Sequence, residues 1–308
     1  MDHPTQDHAS DHHDDHDDFG GLARDLPGLI GRRRALRLMA GAGLGLGVAG
    51  LVAACSSGAS SSTAATTGAT TSTTSGSSAT TAATAAAAES CVELPEETAG
   101  PYPGDGSNGP NVLSQSGVVR SDIRSSFGSM SGTAEGVPLV VKLRVLDADT
   151  CEPVPDAAVY LWQCDALGRY SLYTQGATNQ NYLRGVQAAD DDGWLTFQSI
   201  FPACYSGRWP HIHFEIYDDL EAAQSVGNKV ATPQIALPGE AAKAVFATSG
   251  YTGSSANLAK VSLSSDMVFR DGATAQTPEI TGSAAAGYEI TMDCAVSFAG
   301  STSANDRA

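Results

Sequence analysis

The stretch Cys204 to Tyr217, CYSGRWPHIHFEIY, gathers side chains able to bind metal or stabilise charge: Tyr205, Arg208, His211, His213, Glu215 and Tyr217. The chain has seven histidines, and five of them (His3, His8, His12, His13, His16) fall in its first sixteen residues. His211 and His213 are therefore the only imidazoles left for a folded domain. One residue apart on a strand, two side chains face the same way, close enough to share one metal ion. Imidazole is the commonest protein ligand for metals, so the pair points to a metal site rather than to a lone structural histidine. Two ligands do not complete such a site. A carboxylate would make a 2-His-1-carboxylate set suited to ferrous iron. Glu215 shares the face, but so does Tyr217, and spacing alone does not choose between them.

The elements that must carry these residues read as short strands. Leu139, Val141, Leu143 and Val145 alternate with Val140, Lys142, Arg144 and Leu146, the period-2 pattern of a strand with one buried face. Val159–Trp162 follows the proline-rich turn CEPVPDAA, and the turn signal Asp191-Asp192-Gly193 leads into Trp194–Phe197. In the histidine strand Ile212, Phe214 and Ile216 face the core. Val261–Phe269 and Tyr288–Phe298 are two further expected strands, and only 237–248 (LPGEAAKAVFAT) reads as a helix. The expected fold is all-β, an antiparallel β-sandwich with long loops and little helix.

Composition divides the chain of 308 residues. Residues 1–30 are rich in Asp and His, nearly devoid of apolar side chains, and predicted to be a disordered extension, although His-rich tracts also bind metal. Over 31–55, Arg32, Arg33, Arg34 and Arg37 precede a Gly- and Ala-rich apolar run that ends Leu51-Val52-Ala53-Ala54-Cys55. The run is short for a membrane span and suits an export signal. RRRALR resembles a twin-arginine signal and LVAAC a lipobox, which would make Cys55 the lipidated first residue. The competing reading is a single transmembrane anchor with Cys55 an ordinary residue. Residues 56–90, almost all Ser, Thr, Ala and Gly, form a tether, and 301–308 a disordered tail. Both readings place the domain at 91–300 outside the cytoplasm, in the cell envelope and held to the membrane.

Net charge is −17 for the chain and −14 from residue 55 onward. No basic stripe of the kind nucleic-acid binding needs is present. Past Cys55 lie Cys91, Cys151, Cys164, Cys204 and Cys294. An exported domain keeps disulfides, and five thiols allow at most two. No CxxC pair supports a Cys-type zinc site.

YSGRWPHIHF resembles the motif of the intradiol ring-cleavage dioxygenases: a tyrosine, a short spacer holding an arginine, then His-x-His. The likeness continues in AGPYPGDGSN (99–108), in GVPLVVKLRVLDADTCEPVPDAAVYLWQCDALGRYS and in ATPQIALPG (231–239), four segments in the family's order. It implies ferric iron, Fe(3+), held by Tyr170 of GRY, Tyr205, His211 and His213. It also implies a catechol-like substrate and O2, with the ring opened between its two hydroxyl-bearing carbons to a muconate-type diacid. Tyr205 would be the ligand displaced by substrate. Arg208 matches the family's arginine near the substrate ring, where a fixed cation stabilises developing negative charge. The plain alternative for Arg208 is a surface salt bridge. Gln234 matches a glutamine of the same pocket. Tyr102 either lines the pocket mouth or packs in its turn beside Pro101 and Pro103. Trp162 and Trp209 are expected to pack and Arg169 to position its loop. The sequence does not fix the pairing of Cys91, Cys151, Cys164, Cys204 and Cys294; Cys164 and Cys204, near the two tyrosines in sequence, are one candidate pair. The rival functions are a non-catalytic metal- or aromatic-binding envelope lipoprotein on the same fold, and a copper or zinc site on the same histidines.

Overall fold

In the computed structural model, residues 91–298 are described. The Asp/His-rich segment 1–30, the signal with Cys55, the tether 56–90 and the tail 301–308 lie outside the described residues.

Among the described residues nine strands form two sheets. They are β1 (Pro138–Asp147), β2 (Ala158–Trp162), β3 (Arg184–Ala188), β4 (Trp194–Ile200), β5 (His211–Tyr217), β6 (Lys229–Ala231), β7 (Gln234–Ala236), β8 (Glu279–Ser283) and β9 (Gly287–Val296). The first sheet runs β4-β1-β9-β8; the second runs β3-β2-β5-β6, with β7 also pairing with β5. Two short helices, α1 (Gly239–Phe246) and α2 (Ser254–Leu258), follow β7. Little helix and two packed sheets match the expected sandwich. One strand pair departs from it: β1 and β9 run parallel, with Val141 opposite Ile290, whereas the pairs β1–β4 and β8–β9 are antiparallel. Val261–Phe269 is not a strand but a run of turns entering a 3₁₀ turn at Phe269–Asp271. Its apolar residues Met267, Val268 and Phe269 form a separate small cluster with Ala236 and Ala273. The short edge strands β3, β6, β7 and β8 carry too little alternation to be read from sequence.

Alternation explains the main core. Leu139, Val141, Leu143 and Val145 of β1 pack across the sandwich against Val159 and Leu161 of β2 and against Ile212, Phe214 and Ile216 of β5. Burying each such side chain contributes about 1.5–3 kcal/mol. The opposite face of the second sheet is also covered. Tyr160 and Trp162 of β2, Val186 of β3 and Tyr217 of β5 pack with Val112, Leu113, Val118 and Tyr170 from the long loops. All seven residues of β5 are thus buried, so the two histidines lie inside the protein rather than on a solvated sheet face.

Among the described residues one disulfide joins Cys91 to Cys151, tying the start of the domain to the turn after β1. Cys164, Cys204 and Cys294 are buried thiols. The candidate Cys164–Cys204 bridge is not formed: both thiols are free, with Cys164 directed at the Ala203 carbonyl and Cys204 at the Arg208 carbonyl.

Candidate metal centre

The second sheet sets out the histidines. His213 lies opposite Trp162 of β2 on one side and Gln234 of β7 on the other, and His211 lies opposite Ala236. Trp162 stacks on the His213 ring with centroids 5.0 Å apart and planes 6° off parallel, which limits ring rotation. His211 Nδ1 lies 2.5 Å from the Trp209 carbonyl oxygen. That oxygen can only accept, so Nδ1 donates and Nε2 keeps its lone pair.

Tyr170 arrives on the turn after β2. There Asp165 accepts the backbone N–H of Leu167 and Arg169 and pairs with the Arg169 guanidinium at 2.8 Å. Arg169 thus holds the loop, as expected. The Tyr170 amide donates to Thr174 Oγ1 at 3.0 Å. Tyr205 arrives on the loop between β4 and β5, which α2 fastens: Ser254 Oγ accepts from the Cys204 amide and Asn257 Nδ2 donates to the Cys204 carbonyl.

The result is a tight group of four donor atoms. Tyr205 Oη is 3.1 Å from His211 Nε2, Tyr170 Oη is 3.4 Å from it, and His213 Nε2 is 3.2 Å from it. The two phenol oxygens are 3.5 Å apart. A cation bonded to N and O donors at about 2.0–2.1 Å sets its ligand atoms about 2.9–3.4 Å apart, so the spacing fits one ion. Among the described residues no group of three or more His, Cys, Asp or Glu side chains could hold a metal; a set at this place would need the two phenols beside the two imidazoles.

Electrostatics favour the same use. Burial, then the nearby Arg208 charge, holds His211 well below the ordinary imidazole range; burial, then His211 and Arg208, does the same for His213. Both rings are therefore neutral at neutral pH, with lone pairs free for a cation. Burial, reinforced by Tyr205, pushes Tyr170 well above the usual phenol value. A phenol so placed ionises only beside a strong positive charge, as a bound cation supplies. Glu215 and Tyr217, the two open alternatives, bond to each other at 2.6 Å, and Lys229 pairs with the same carboxylate at 3.3 Å. Burial pushes the Glu215 carboxyl up to about 7.

Arg208 is fully buried and is no surface bridge. Its Nε pairs with Asp266 at 3.0 Å and its Nη2 donates to Gln234 Oε1 at 2.8 Å. Gln234 Nε2 in turn donates to the Thr98 carbonyl. Tyr102, half-buried, packs its ring on Tyr170 with centroids 5.0 Å apart and on Tyr173 at 5.2 Å, beside the cluster. Trp209 packs over Gly239 of α1 and donates Nε1–H to the Leu237 carbonyl.

Two charged residues of this neighbourhood carry no sequence signal. Asp266 comes from the stretch 251–308, where the motifs point to no chemistry. Arg184, wholly buried on β3, spends its guanidinium on neutral acceptors: Pro103 O, Tyr160 Oη, Tyr102 O, Ser171 Oγ and Ser171 O, all at 2.6–3.1 Å. It binds the Tyr102 segment to the loop that carries Tyr170.

The family model described as "Dioxygenase" matches residues 108–221. The chain is 29% identical over 107 residues to a catechol 1,2-dioxygenase of Pseudomonas sp. (strain EST1001), a match over 29% of this chain and 33% of that protein. The match thus spans about a third of the length of that curated relative. An intradiol ring-cleavage dioxygenase from Tetranychus urticae superposes with a TM-score of 0.53 at 25% identity, covering 67% of this chain and 95% of that one.

Proposed function

We propose that this domain is an intradiol ring-cleavage dioxygenase domain, a reading supported by the family match and the fold similarity, and that it opens catechol-like aromatic rings with O2 at a ferric ion held by Tyr170, Tyr205, His211 and His213. The observation that carries the proposal is the convergence of those four donor atoms at 3.1–3.5 Å. Two neutral imidazoles and two phenols that ionise on binding would offset most of a ferric charge, which favours Fe(3+) over a divalent ion. Bound there, ferric iron would supply a Lewis acid able to activate a catecholate toward O2. The reaction balances without a reductant: both atoms of O2 enter the product, and the bond between the hydroxyl-bearing carbons breaks to leave a muconate-type diacid.

The chain's own residues divide the remaining work. Tyr205, half-buried where Tyr170 is fully buried, is the phenol placed to leave and to take a substrate hydroxyl proton at its Oη. Arg208, immobilised by Asp266 and Gln234, presents a fixed positive charge beside the donor cluster; such a charge needs no reorganisation as negative charge develops. Tyr102 lies on the Tyr170 ring and lines the approach for a planar substrate. Trp162 stacked on His213 excludes water from the inner wall.

The domain is read as exported and lipid-anchored at Cys55, supported by RRRALR and LVAAC in the sequence and by a Cys91–Cys151 disulfide suited to an oxidising compartment. Membrane fractionation of the Cys55→Ala chain tests it: the wild type pellets with membranes and the variant does not. Oxygen uptake by the ferric-loaded protein with catechol, 4-methylcatechol, hydroxyquinol and protocatechuate tests the activity. One O2 consumed per diacid formed supports it. Tight binding without uptake on all four would establish the non-catalytic binder instead.

A further inference from the structure

Asp266 lies outside residues 108–221 and outside every recognised motif, yet both its oxygens are saturated and its side chain is fully buried. Oδ1 accepts the backbone N–H of Val268 at 2.8 Å and of Phe269 at 3.2 Å. Oδ2 accepts Arg208 Nε–H at 3.0 Å and the Trp209 backbone N–H at 2.6 Å. The first oxygen clamps the carboxylate to its own turn, and the second reaches across to the loop that enters β5. A buried carboxylate is tolerated only when paired and fully hydrogen-bonded; here Arg208 meets the first condition and three amides the second.

Two branches leave this anchor for the donor cluster. Along one, Arg208 passes to Gln234 and on to the Thr98 carbonyl. Along the other, Trp209 is held at its N–H by Asp266 while its carbonyl accepts from His211 Nδ1. Between the carboxylate and the imidazole there remain only the two backbone torsions of Trp209. Pro210 follows, which restricts that residue to extended conformations, and the Trp209 indole is pinned to Leu237 as well. A short path thus joins the Asp266 carboxylate to the ring nitrogen of His211.

We propose that Asp266 is a positioning residue of the site: it fixes the Arg208 charge and, through Trp209, the orientation and Nδ1–H tautomer of His211. The assignment of roles to Arg208 and His211 rests on the function proposed above; the hydrogen-bond chain does not. Asp266→Asn keeps the shape and replaces one acceptor oxygen by a donor, so it must oppose either the Val268 and Phe269 amides or the Arg208 and Trp209 donors.

The test uses the full-length chain, metal-free and ¹⁵N-labelled. In the wild type, long-range ¹H–¹⁵N spectra should show His211 as the Nδ1–H tautomer, with a slowly exchanging Trp209 amide. In Asp266→Asn the His211 tautomers should mix, and the Trp209 amide should exchange about 10- to 100-fold faster, the range expected from one lost hydrogen bond to a charged group. After ferric loading the same variant should show a shifted visible band and a lower kcat for catechol, with KM less affected. An unchanged tautomer and unchanged exchange in the variant would overturn the proposal. So would a wild-type His211 protonated at Nε2, a result that decides the matter even where the variant does not fold. A wild-type protein without catechol turnover would sink the proposed function and leave the metal-free result standing.

Discussion

Gly104, in the PYPG turn that carries Tyr102, offers a sharp test of how the site is framed. Its φ is +69°, and a Cβ built there would lie 2.8 Å from Arg184 Nη1, 3.1 Å from Arg184 Cζ and 3.3 Å from Leu172 Cδ1. A non-glycine residue in this left-handed region costs about 1–2 kcal/mol. The guanidinium cannot swing aside, because its donors are held by Pro103, Tyr160, Tyr102 and Ser171. Displacing it forfeits at least one hydrogen bond to a charged group, about 1.5–3 kcal/mol. Alanine returns about 0.4–1 kcal/mol by stiffening the unfolded chain. Gly104→Ala should therefore destabilise the domain by about 2–4 kcal/mol. In urea unfolding, with m of about 2–3 kcal/mol/M and unchanged, the midpoint should fall by about 1–2 M. Gly128→Ala is the control: its φ is +67°, matching Gly104, and nothing lies within 4 Å of the added carbon, so it should show the backbone cost alone. Equal effects at the two positions would refute the reasoning, since the contact with Arg184 would then count for nothing.

Three further outcomes follow from the same contacts. Phe214→Ala, at a wholly buried position between the sheets, should lose about 3–5 kcal/mol by urea unfolding. Removing the Cys91–Cys151 bridge, which spans 60 residues, should lower stability by about 2–4 kcal/mol, measured by comparing the Cys91→Ser/Cys151→Ser protein with the wild type under non-reducing conditions. Arg208→Met should reduce kcat on catechol by about 100- to 1000-fold, the range for deleting one preorganised charge stabiliser, read by oxygen uptake with the iron content held equal.

What the sequence disclosed depended on periodicity and local motifs. The alternation in β1 and the Ile212-Phe214-Ile216 series were strong enough to fix two facing core surfaces, and His211 and His213 fell together on the remaining face. The partnership with Tyr170 and Tyr205 came from resemblance, since nothing in spacing preferred these phenols to Glu215 or Tyr217. The structure supplies the reason that spacing lacks: Glu215 is taken up by Tyr217 and Lys229 further along the strand. The parallel β1–β9 pair was illegible because alternation states which face is buried but not which strand lies alongside. Val261–Phe269 misled because an apolar run at a turn serves a local cluster as well as a strand serves a sheet. Asp266 and Arg184 were invisible for a different cause. Each acts by hydrogen bonds to main-chain groups distant in sequence, 57 residues for Asp266 to Trp209 and 82 for Arg184 to Tyr102, and such bonds impose no local pattern.

The central claim is that Tyr170, Tyr205, His211 and His213 together hold ferric iron. The most direct measurement is the visible spectrum of the protein after loading with one equivalent of Fe(III), taken beside Tyr170→Phe and Tyr205→Phe. Two coordinated phenolates predict a broad visible charge-transfer band and a reddish colour in the wild type, altered by either substitution. A colourless protein carrying stoichiometric iron, or a spectrum unmoved in either variant, would contradict the account.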